Sequence, residues 1–238
     1  MNYKRRSGII FYFGVTVSIA TICRTVHHMG ITRQVMRHIA LQRSDTARAK
    51  FMADISVYDP AMFIWLDESG QDKRNAIRRY GYSFRGIRPV EYRLLVRGIR
   101  YSSILIMSIN CVHDVFLAEG SVDGDRFQYF IRTSLLPILN PYNTINSQSV
   151  VVMDNASIHH VQDAVDLIES VGAKVIFLPP YSPDLNPCEP VFGKVKAILK
   201  ENDQFLQVCS TPRAFLATAF SMITPDDCSS YAKHCGYL

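Results

Sequence analysis

The sequence of 238 residues lacks any paired cysteine motif, because none of its six cysteines belongs to a CxxC pair. A disulfide framework is therefore excluded as the basis of the fold, and we expect free thiols in a reducing compartment. Cys228, His234 and Cys235 lack a fourth ligand at a suitable spacing, so a zinc site is not expected. Internal repeats and low-complexity tracts are also absent. With 48% hydrophobic and 20% charged residues, one large core with an appendage is the expected organisation.

Acidic residues are in deficit, with 21 Asp and Glu against 26 Lys and Arg, which gives a formal net charge of +5 and a pI near 8.9. This balance permits a polyanionic partner without requiring one. The arginines are more informative because they are concentrated in two segments, and arginine commonly contacts phosphate oxygens. The two groups are Arg24, Arg33, Arg37 and Arg43, and then Arg74, Arg78, Arg79, Arg85, Arg88, Arg93, Arg97 and Arg100.

The N-terminal stretch admits two interpretations. Basic residues 4–6 followed by an apolar run are typical of a signal peptide. Alternatively, the stretch after the apolar run is an amphipathic helix with Ser18 as its N-cap and Gly30 as its C-cap. We expect the helix, because polar positions interrupt the stretch where a signal peptide would be evenly apolar. The apolar residues at helical spacing are Ile19, Ile22, Val26 and Met29.

A strand, a helix and a second strand follow one another in the middle of the chain. Residues 149–153 are an apolar, largely β-branched run that stops at Asp154, as in a buried strand whose last residue emerges at the sheet edge. Apolar residues at helical spacing over 161–171 then predict a helix, with Gly172 as a left-handed C-cap. Residues 174–178 predict a second buried strand, parallel to the first and reached by a right-handed crossover.

A second acid follows this unit on a predicted helix. The prolines of residues 179–183 cannot continue a helix or a central strand, so an extended loop leads to a helix beginning at Asn186-Pro187. Glu189 lies in its first turn, where the positive potential keeps a carboxylate ionised for a hard divalent cation. The loop can bring Glu189 back beside Asp154, from which it is separated by 34 residues. The alternative is that Glu189 caps the helix and Asp154 forms a turn.

An earlier acid follows a strand in the same way as Asp154. Residues 62–66 are an apolar run that predicts a strand, and Asp67 and Glu68 come directly after it. Because successive strand residues point to opposite faces, only one of these two acids can reach a shared cluster.

The remaining patterns predict further strands of the same sheet and helices around it. In chain order they are a helix over 47–58 capped by Asp45, strands over 101–110 and 114–118 joined by a turn at 111–113, a helix from Asp123 or Gly124 to Pro137, and helical pieces over 204–208 and 212–222.

Three motifs together resemble the catalytic core of DDE transposases of the mariner superfamily. They are residues 154–159 (DNASIH), 178–187 (LPPYSPDLNP) and 189–192 (EPVF). The 34-residue spacing resembles the branch whose last acid is glutamate, rather than the mariner branch proper, which ends in aspartate. The resemblance implies an α/β fold, an RNase H-like mixed sheet flanked by helices. It also favours Asp67 over Glu68 as the first acid.

The resemblance also divides the chain. Residues 18–26 resemble the recognition helix of a helix-turn-helix. Residues 1–43 are therefore expected to be a partial helix-turn-helix DNA-binding region with a basic linker, and residues 44–238 an RNase H-like DDE catalytic domain. The family has two DNA-binding subdomains and the first has no counterpart here. We therefore expect an N-terminally truncated chain, and its own activity is an open question.

The implied function is that of a DNA transposase that cleaves phosphodiester bonds at transposon ends and transfers the strands into target DNA. Asp67, Asp154 and Glu189 would hold two Mg²⁺ ions, for which Mn²⁺ can substitute. The expected partner is double-stranded DNA, the active form a homodimer, and the compartment the nucleus, with no membrane partner. The candidate DNA contacts are Arg24, His27, Arg33, Arg37, Arg85, Arg88 and Lys196, with His159 as a candidate phosphate contact.

Two other functions fit the same residues. One is a non-catalytic DNA-binding protein derived from a transposase, and retention of all three acids argues against it. The other is a general metal-dependent nuclease of RNase H-like fold, which the long match around Glu189 disfavours.

Overall fold

The computed structural model describes residues 18–32, 40, 42–71, 100–154, 158–202, 209 and 211–238. The chain divides into two compact units, Met1–Ala40 and Leu41–Leu238. Within the described ranges, no helix combines the length and the apolar character that a membrane crossing requires.

Helix α1, Ile19–His28, belongs to the first unit. Ser18 has extended backbone dihedrals, and its Oγ accepts a hydrogen bond from the Thr21 N–H at 3.1 Å, which caps the first turn. Gly30 follows the helix with φ +73°, a left-handed conformation that glycine adopts without strain. The prediction of a helix between these two caps is confirmed.

Five strands form one sheet in the second unit: β1 (Phe63–Gln71), β2 (Tyr101–Met107), β3 (Val112–Glu119), β4 (Val150–Met153) and β5 (Lys174–Phe177). Their order across the sheet is β3-β2-β1-β4-β5. β2 is antiparallel to both β1 and β3, whereas β4 is parallel to both β1 and β5. The predicted mixed sheet is confirmed, and so is the parallel pairing of the two strands on either side of the crossover.

Four strands differ clearly from their predicted form, and each difference follows from hydrogen bonding or from the strand's place in the sheet. β1 continues through Gln71 instead of ending before Asp67, because an antiparallel ladder with β2 satisfies its backbone beyond the acid. β2 ends at Met107 instead of at 110, and β3 begins at Val112, since the turn between them closes early with the Ser108 N–H donating to the Cys111 C=O at 2.9 Å. β5 is partly exposed rather than buried, because it is the outermost strand on its side of the described sheet.

Helices cover both faces of this sheet: α2 (Asp45–Ile55), α3 (Gly124–Phe130), α4 (Ile158–Ser170), α5 (Cys188–Glu201), α6 (Pro212–Ser221) and α7 (Pro225–His234). The cap of α2 is Ser44 rather than the predicted Asp45, because the Ser44 Oγ accepts a hydrogen bond from the Ala47 N–H at 3.1 Å. The predicted cap of α3 is confirmed, with the Asp123 Oδ1 accepting from the Arg126 N–H at 2.9 Å.

Other helix boundaries also differ from the prediction. α2 ends three residues before the predicted end at 58, and α4 begins three residues before the predicted start at 161. α7 is absent from the sequence prediction, although Thr224 and Asp227 form a capping box with Pro225 at the first helical position. The helical piece predicted over 204–208 lies outside the described residues.

The core lies on both faces of the sheet, because alternate strand residues point in opposite directions. Phe63, Trp65 and Val152 face one side and pack with side chains of α2, α5, α6 and α7. Leu66 and Val151 face the other side and pack with α3 and α4. Full burial of each such side chain stabilises the fold by roughly 1.5–3 kcal/mol. The predicted free thiols are confirmed, since all six cysteines are unpaired.

Tyr237 links this core to the loop that precedes α5. Its buried ring packs edge-on against Phe63 and Trp65, with centroid separations of 5.1 and 4.9 Å. Its hydroxyl donates a hydrogen bond to the Leu185 C=O at 3.0 Å, and burial raises the pKa of Tyr237. The segment after α7 therefore connects the loop to the core through the ring and the hydroxyl of Tyr237.

Replacing Tyr237 with Phe should lower the free energy of unfolding by about 1–3 kcal/mol, because it leaves the buried Leu185 carbonyl without a donor. Chemical denaturation measures this change. Tyr129→Phe is the control, because that side chain is 63% exposed and its loss should stay within about 0.5 kcal/mol. Equal stabilities of the two variants would contradict a supporting role for the hydroxyl of Tyr237.

Candidate active site

The parallel register of β1 and β4 brings Asp67 and Asp154 together. Leu66 pairs with Met153, so the next residue on each segment is an acid. By strand alternation Asp67 follows Trp65 onto the face that α5 covers, and Asp154 has the corresponding position after β4. The two acids therefore meet where the parallel pairing ends.

Glu68 was the alternative candidate for the first acid. By strand alternation its side chain points to the opposite face of the sheet from Asp67, and it is exposed. Its backbone N–H donates to the Asp67 Oδ1 at 2.8 Å. Glu68 thus helps to orient the carboxylate of Asp67 through its main chain.

Glu189 lies in the first turn of α5, and Asn186 caps this end of the helix. Asn186 is extended (φ −108°, ψ 109°) and Pro187 is helical (φ −62°, ψ −17°), the combination expected at a cap followed by a first-turn proline. The Asn186 Oδ1 accepts from the Cys188 N–H at 3.1 Å, and the Asn186 C=O accepts from the Glu189 N–H at 3.1 Å. Buried Val191 and other apolar residues anchor the helix.

The carboxylate of Glu189 is not used in this cap. A glutamate three residues after a cap commonly folds back to the N–H of the capping residue. Here the Asn186 N–H donates to the Pro183 C=O at 3.1 Å instead. The side chain of Glu189 is exposed and reaches the space between the helix and the sheet.

That space is a cavity of about 430 Å³. The proline-rich loop forms one wall, with the Ser182 Oγ donating to the Pro180 C=O at 3.2 Å and Tyr181 in a left-handed conformation at φ +55°. The three predicted acids are brought together here. The lining residues are Asp67, Asp154, Leu178, Pro179, Pro180, Tyr181, Ser182, Pro183, Asn186 and Glu189.

Asp67 is the most perturbed acid of the cavity, with its pKa raised to about 7. Burial is the largest cause, and the negative charges of Glu189 and Asp154 raise the pKa further. Hydrogen bonds from the Glu68 N–H and from the Asn186 Nδ2, both at 2.8 Å, oppose these effects. A half-buried carboxylate close to two others is an environment that a bound cation would stabilise.

The cavity fits divalent cations by its donor chemistry. Mg²⁺ and Mn²⁺ prefer carboxylate oxygens, and all three acidic residues of the lining supply them. Nowhere in the described ranges do three acidic, histidine or cysteine side chains converge on a point where one ion could bind them all. The volume of about 430 Å³ far exceeds the roughly 30 Å³ that one water molecule occupies, so the cavity has room for water beside the carboxylates.

Asp184, the nearest acid before Glu189, serves the fold instead. Arg48 of α2 donates from both terminal guanidinium nitrogens to its two carboxylate oxygens, at 3.0 and 2.7 Å, and Arg43 lies at 3.5 Å. Burial opposes ionisation, but these arginines outweigh it and lower the pKa of Asp184. The structure therefore explains Asp184 by this bidentate ion pair.

The other predicted site residues are less completely placed. Arg24 and His27 are exposed on α1, Lys196 is partly exposed on α5, and the backbone of His159 lies in the first turn of α4. Their predicted contacts with DNA stay predictions. Four predicted contacts lie outside the described residues, namely Arg33, Arg37, Arg85 and Arg88.

Asn186 is the site residue that sequence reasoning missed. The sequence marked it only as the end of the loop, although an asparagine directly before a first-turn proline is a helix-cap signal. That signal predicts the bond to Cys188. Its bond to Asp67 joins residues 119 positions apart and has no local signature.

A second cavity of about 740 Å³ lies along β3 and is lined in part by α6. Its two acids, Asp114 and Glu119, are five positions apart on that strand and already have partners. Asp114 accepts a bond from the Val115 N–H at 2.7 Å, and Glu119 accepts one from the Tyr101 hydroxyl at 3.3 Å. Its acids therefore do not resemble the cluster around Asp67.

Asp184→Asn should destabilise the fold by up to about 1 kcal/mol at neutral pH, because the partly exposed ion pair with Arg48 is lost. The lowered pKa means that this stabilisation is present above the unfolded-state pKa of about 3.9 and is lost as pH falls through the folded-state pKa. Urea unfolding should therefore show a difference between wild type and variant that is constant above the unfolded-state pKa and shrinks as the pH falls below it.

Asp45→Asn is the matched control for this prediction. Its carboxylate is 96% exposed and lies 3.8 Å from Arg43, so its loss should change stability little at any pH. A wild-type advantage over Asp184→Asn that stayed constant as pH fell would contradict the role given to the pair.

The fold is similar to solved structures of the Mos1 mariner transposase. The Mos1 strand transfer complex has a TM-score of 0.70 at 16% identity, covering 99% of this chain and 75% of that chain. The Mos1 paired-end complex with Mn has a TM-score of 0.69 at 16% identity, with 98% and 75% covered. The Mos1 catalytic domain has a TM-score of 0.55 at 14% identity, covering 85% of this chain and 93% of that chain. This likeness confirms the predicted RNase H-like fold.

The sequence itself matches a family model. No curated protein matches the chain. The model of the DDE superfamily endonuclease family matches residues 62–210, well over half of the chain, and this segment contains Asp67, Asp154 and Glu189. The chain therefore belongs to the DDE superfamily of endonucleases.

Proposed function

We propose that this endonuclease is a DNA transposase, which cleaves phosphodiester bonds at transposon ends and transfers the cut strands into target DNA. The observation that carries the proposal is the cavity where acids from β1, from the end of β4 and from α5 meet. Three carboxylates from separate elements, one of them half-buried, are costly to bring together unless a cation uses them.

The structural relatives support this reaction class. Mos1 has been solved as a paired-end complex with the left transposon end and as a strand transfer complex. The paired-end complexes include forms with Mg and with Mn. In this chain, the equivalent activity would use Asp67, Asp154 and Glu189 as the metal ligands.

Two Mg²⁺ ions held by these acids, or Mn²⁺ in their place, would supply Lewis-acid stabilisation of the attacking and leaving oxygens in an in-line displacement. The residues of the chain would position the carboxylates that bind these ions. Hydrogen bonds from the Glu68 N–H and Asn186 fix the carboxylate of Asp67, and the buried side of α5 fixes the backbone of Glu189.

Basic residues would hold the DNA against this site. Lys196 lies two turns after Glu189 on α5, and Arg24 and His27 are exposed on α1 in the first unit. Contacts of this kind bind phosphates and position the duplex without reading its sequence.

Glu189→Gln should reduce Mg²⁺-dependent cleavage at least about a hundredfold, which is the upper range seen when an outer-shell partner of a metal site is removed. The amide keeps the size of the side chain but loses the charge that binds the cation. Nicking of a supercoiled plasmid by the purified chain, with and without Mg²⁺, measures the change. Binding to duplex DNA in the absence of metal should be unaffected.

Asp226→Asn is the matched control, because Asp226 is also an exposed acid in the first turn of a helix, α7. It does not line the cavity, so cleavage should stay close to wild type. Equal cleavage by wild type and Glu189→Gln would contradict the assignment of Glu189. Retention of cleavage in Glu189→Gln but not in Asp226→Asn would place the site elsewhere.

The same assay separates the proposed function from its rivals. A transposase joins the cut strand to a second DNA, so joined products should accompany nicking. Nicking without joined products would support a general nuclease. Binding without any nicking, in either metal, would support a non-catalytic DNA-binding protein.

The proposal extends to the assembly and the compartment. We expect a homodimer on DNA, as the paired-end complexes of Mos1 suggest, and an average mass measured by light scattering on the DNA-bound form tests it.

We also expect the chain to be located in the nucleus, since DNA is the substrate. A tagged chain recovered from the medium in a form cut near the start of α1 would contradict this compartment.

A further inference from the structure

Asn186 makes two hydrogen bonds that join the first acid to the helix of the third. Its Nδ2 donates to the Asp67 Oδ2 at 2.8 Å, and its Oδ1 accepts from the Cys188 N–H at 3.1 Å. The residue is 4% exposed, so its amide is largely shielded from water. A single short side chain in the lining of the cavity thus bridges β1 and α5.

The orientation of this amide follows from its partners. The Cys188 N–H is a backbone donor, so the amide oxygen of Asn186 must face it. The amide nitrogen then necessarily faces Asp67 and donates to its Oδ2. Asparagine carries an acceptor and a donor group on the same carbon, whereas an ionised aspartate would place a negative charge beside Asp67.

Each of the two oxygens of Asp67 thereby accepts one hydrogen bond. Oδ1 accepts from the Glu68 N–H and Oδ2 accepts from Asn186, both at 2.8 Å. Each oxygen has a second lone pair that these bonds leave for another partner. A carboxylate fixed by two donors keeps one rotamer before any ligand arrives, and less entropy is lost when a ligand binds.

We propose that Asn186 is a positioning residue that holds the carboxylate of Asp67 in the orientation used for divalent cations, and that it does so separately from its role as the cap of α5. The inference rests on the proposed function, because it assigns Asn186 to the same metal-binding cavity. Outer-shell partners of this kind orient metal-binding carboxylates, and their loss typically weakens metal binding 10–100-fold.

The competing explanation is that Asn186 only caps the helix. Two substitutions separate the roles. Asn186→Ser keeps a good capping acceptor, but its hydroxyl lies too near the backbone to occupy the place of the amide nitrogen beside Asp67. Asn186→Ala removes both bonds. Ser44→Ala is the matched control, because it removes the cap of α2, whose bond to the Ala47 N–H is 3.1 Å, and leaves the cavity intact.

The experiment titrates the full chain with Mn²⁺ by calorimetry and follows thermal unfolding of the same samples. Asn186→Ser and Asn186→Ala should both raise the Mn²⁺ dissociation constant about 10–100-fold. Ser44→Ala should leave it at the wild-type value. Unfolding temperatures should fall for Asn186→Ala and Ser44→Ala, which lose a cap, and less for Asn186→Ser than for Asn186→Ala, because serine keeps the cap of α5 and loses only the bond to Asp67. The half-saturating Mn²⁺ concentration for plasmid nicking should rise in parallel with the dissociation constant.

Each other result overturns the inference in an identifiable way. Wild-type Mn²⁺ affinity in Asn186→Ser, with a loss only in Asn186→Ala, would reduce Asn186 to a helix cap. Wild-type affinity in both variants would remove it from the site while the proposed function stands. A wild-type chain that neither binds Mn²⁺ nor nicks DNA would overturn the proposed function together with this inference.

Discussion

The parallel pairing of β1 with β4 is the constraint on which the site depends. With Leu66 opposite Met153, the next residues of the two segments are Asp67 and Asp154. A shift of the register by one residue would turn one acid to the opposite face of the sheet. The register is held by the core, because Trp65 and its neighbours fill the face under α5 while Leu66 fills the other. Packing energy and catalytic geometry are therefore set by the same pairing.

The third acid needs more support, because no strand carries it. The position of Glu189 depends on where α5 begins, and three long-range contacts fix the start of this helix. Tyr237 donates to the Leu185 carbonyl from the core, Arg48 binds Asp184 from α2, and Asn186 bonds to Asp67 on the sheet. Each of these contacts joins residues at least 52 positions apart, so the loop is fixed by the tertiary fold rather than by its prolines alone.

The sequence predicts much of this arrangement and misses a definable part. An acid after an apolar strand predicts Asp154, and a first-turn position predicts Glu189, both from local patterns. Strand alternation leaves Asp67 and Glu68 as alternatives for the first acid, and the family resemblance favours Asp67. The extent of β1 beyond Asp67 depends on pairing with β2, and the bonds made by Asn186 and Asp184 depend on residues 119 and 136 positions away. Such distant partners cannot be predicted from local sequence. The capping box that begins at Thr224 is a local pattern, so the start of α7 could have been predicted from it.

The three acids are proposed to form one site for two cations. Anomalous diffraction from crystals of the chain grown with duplex DNA and Mn²⁺ would locate those ions. We expect two anomalous peaks inside the cavity, about 3.5–4 Å apart, with Asp67, Asp154 and Glu189 as their protein ligands. A cavity without peaks, or Mn²⁺ bound only at other residues, would contradict it.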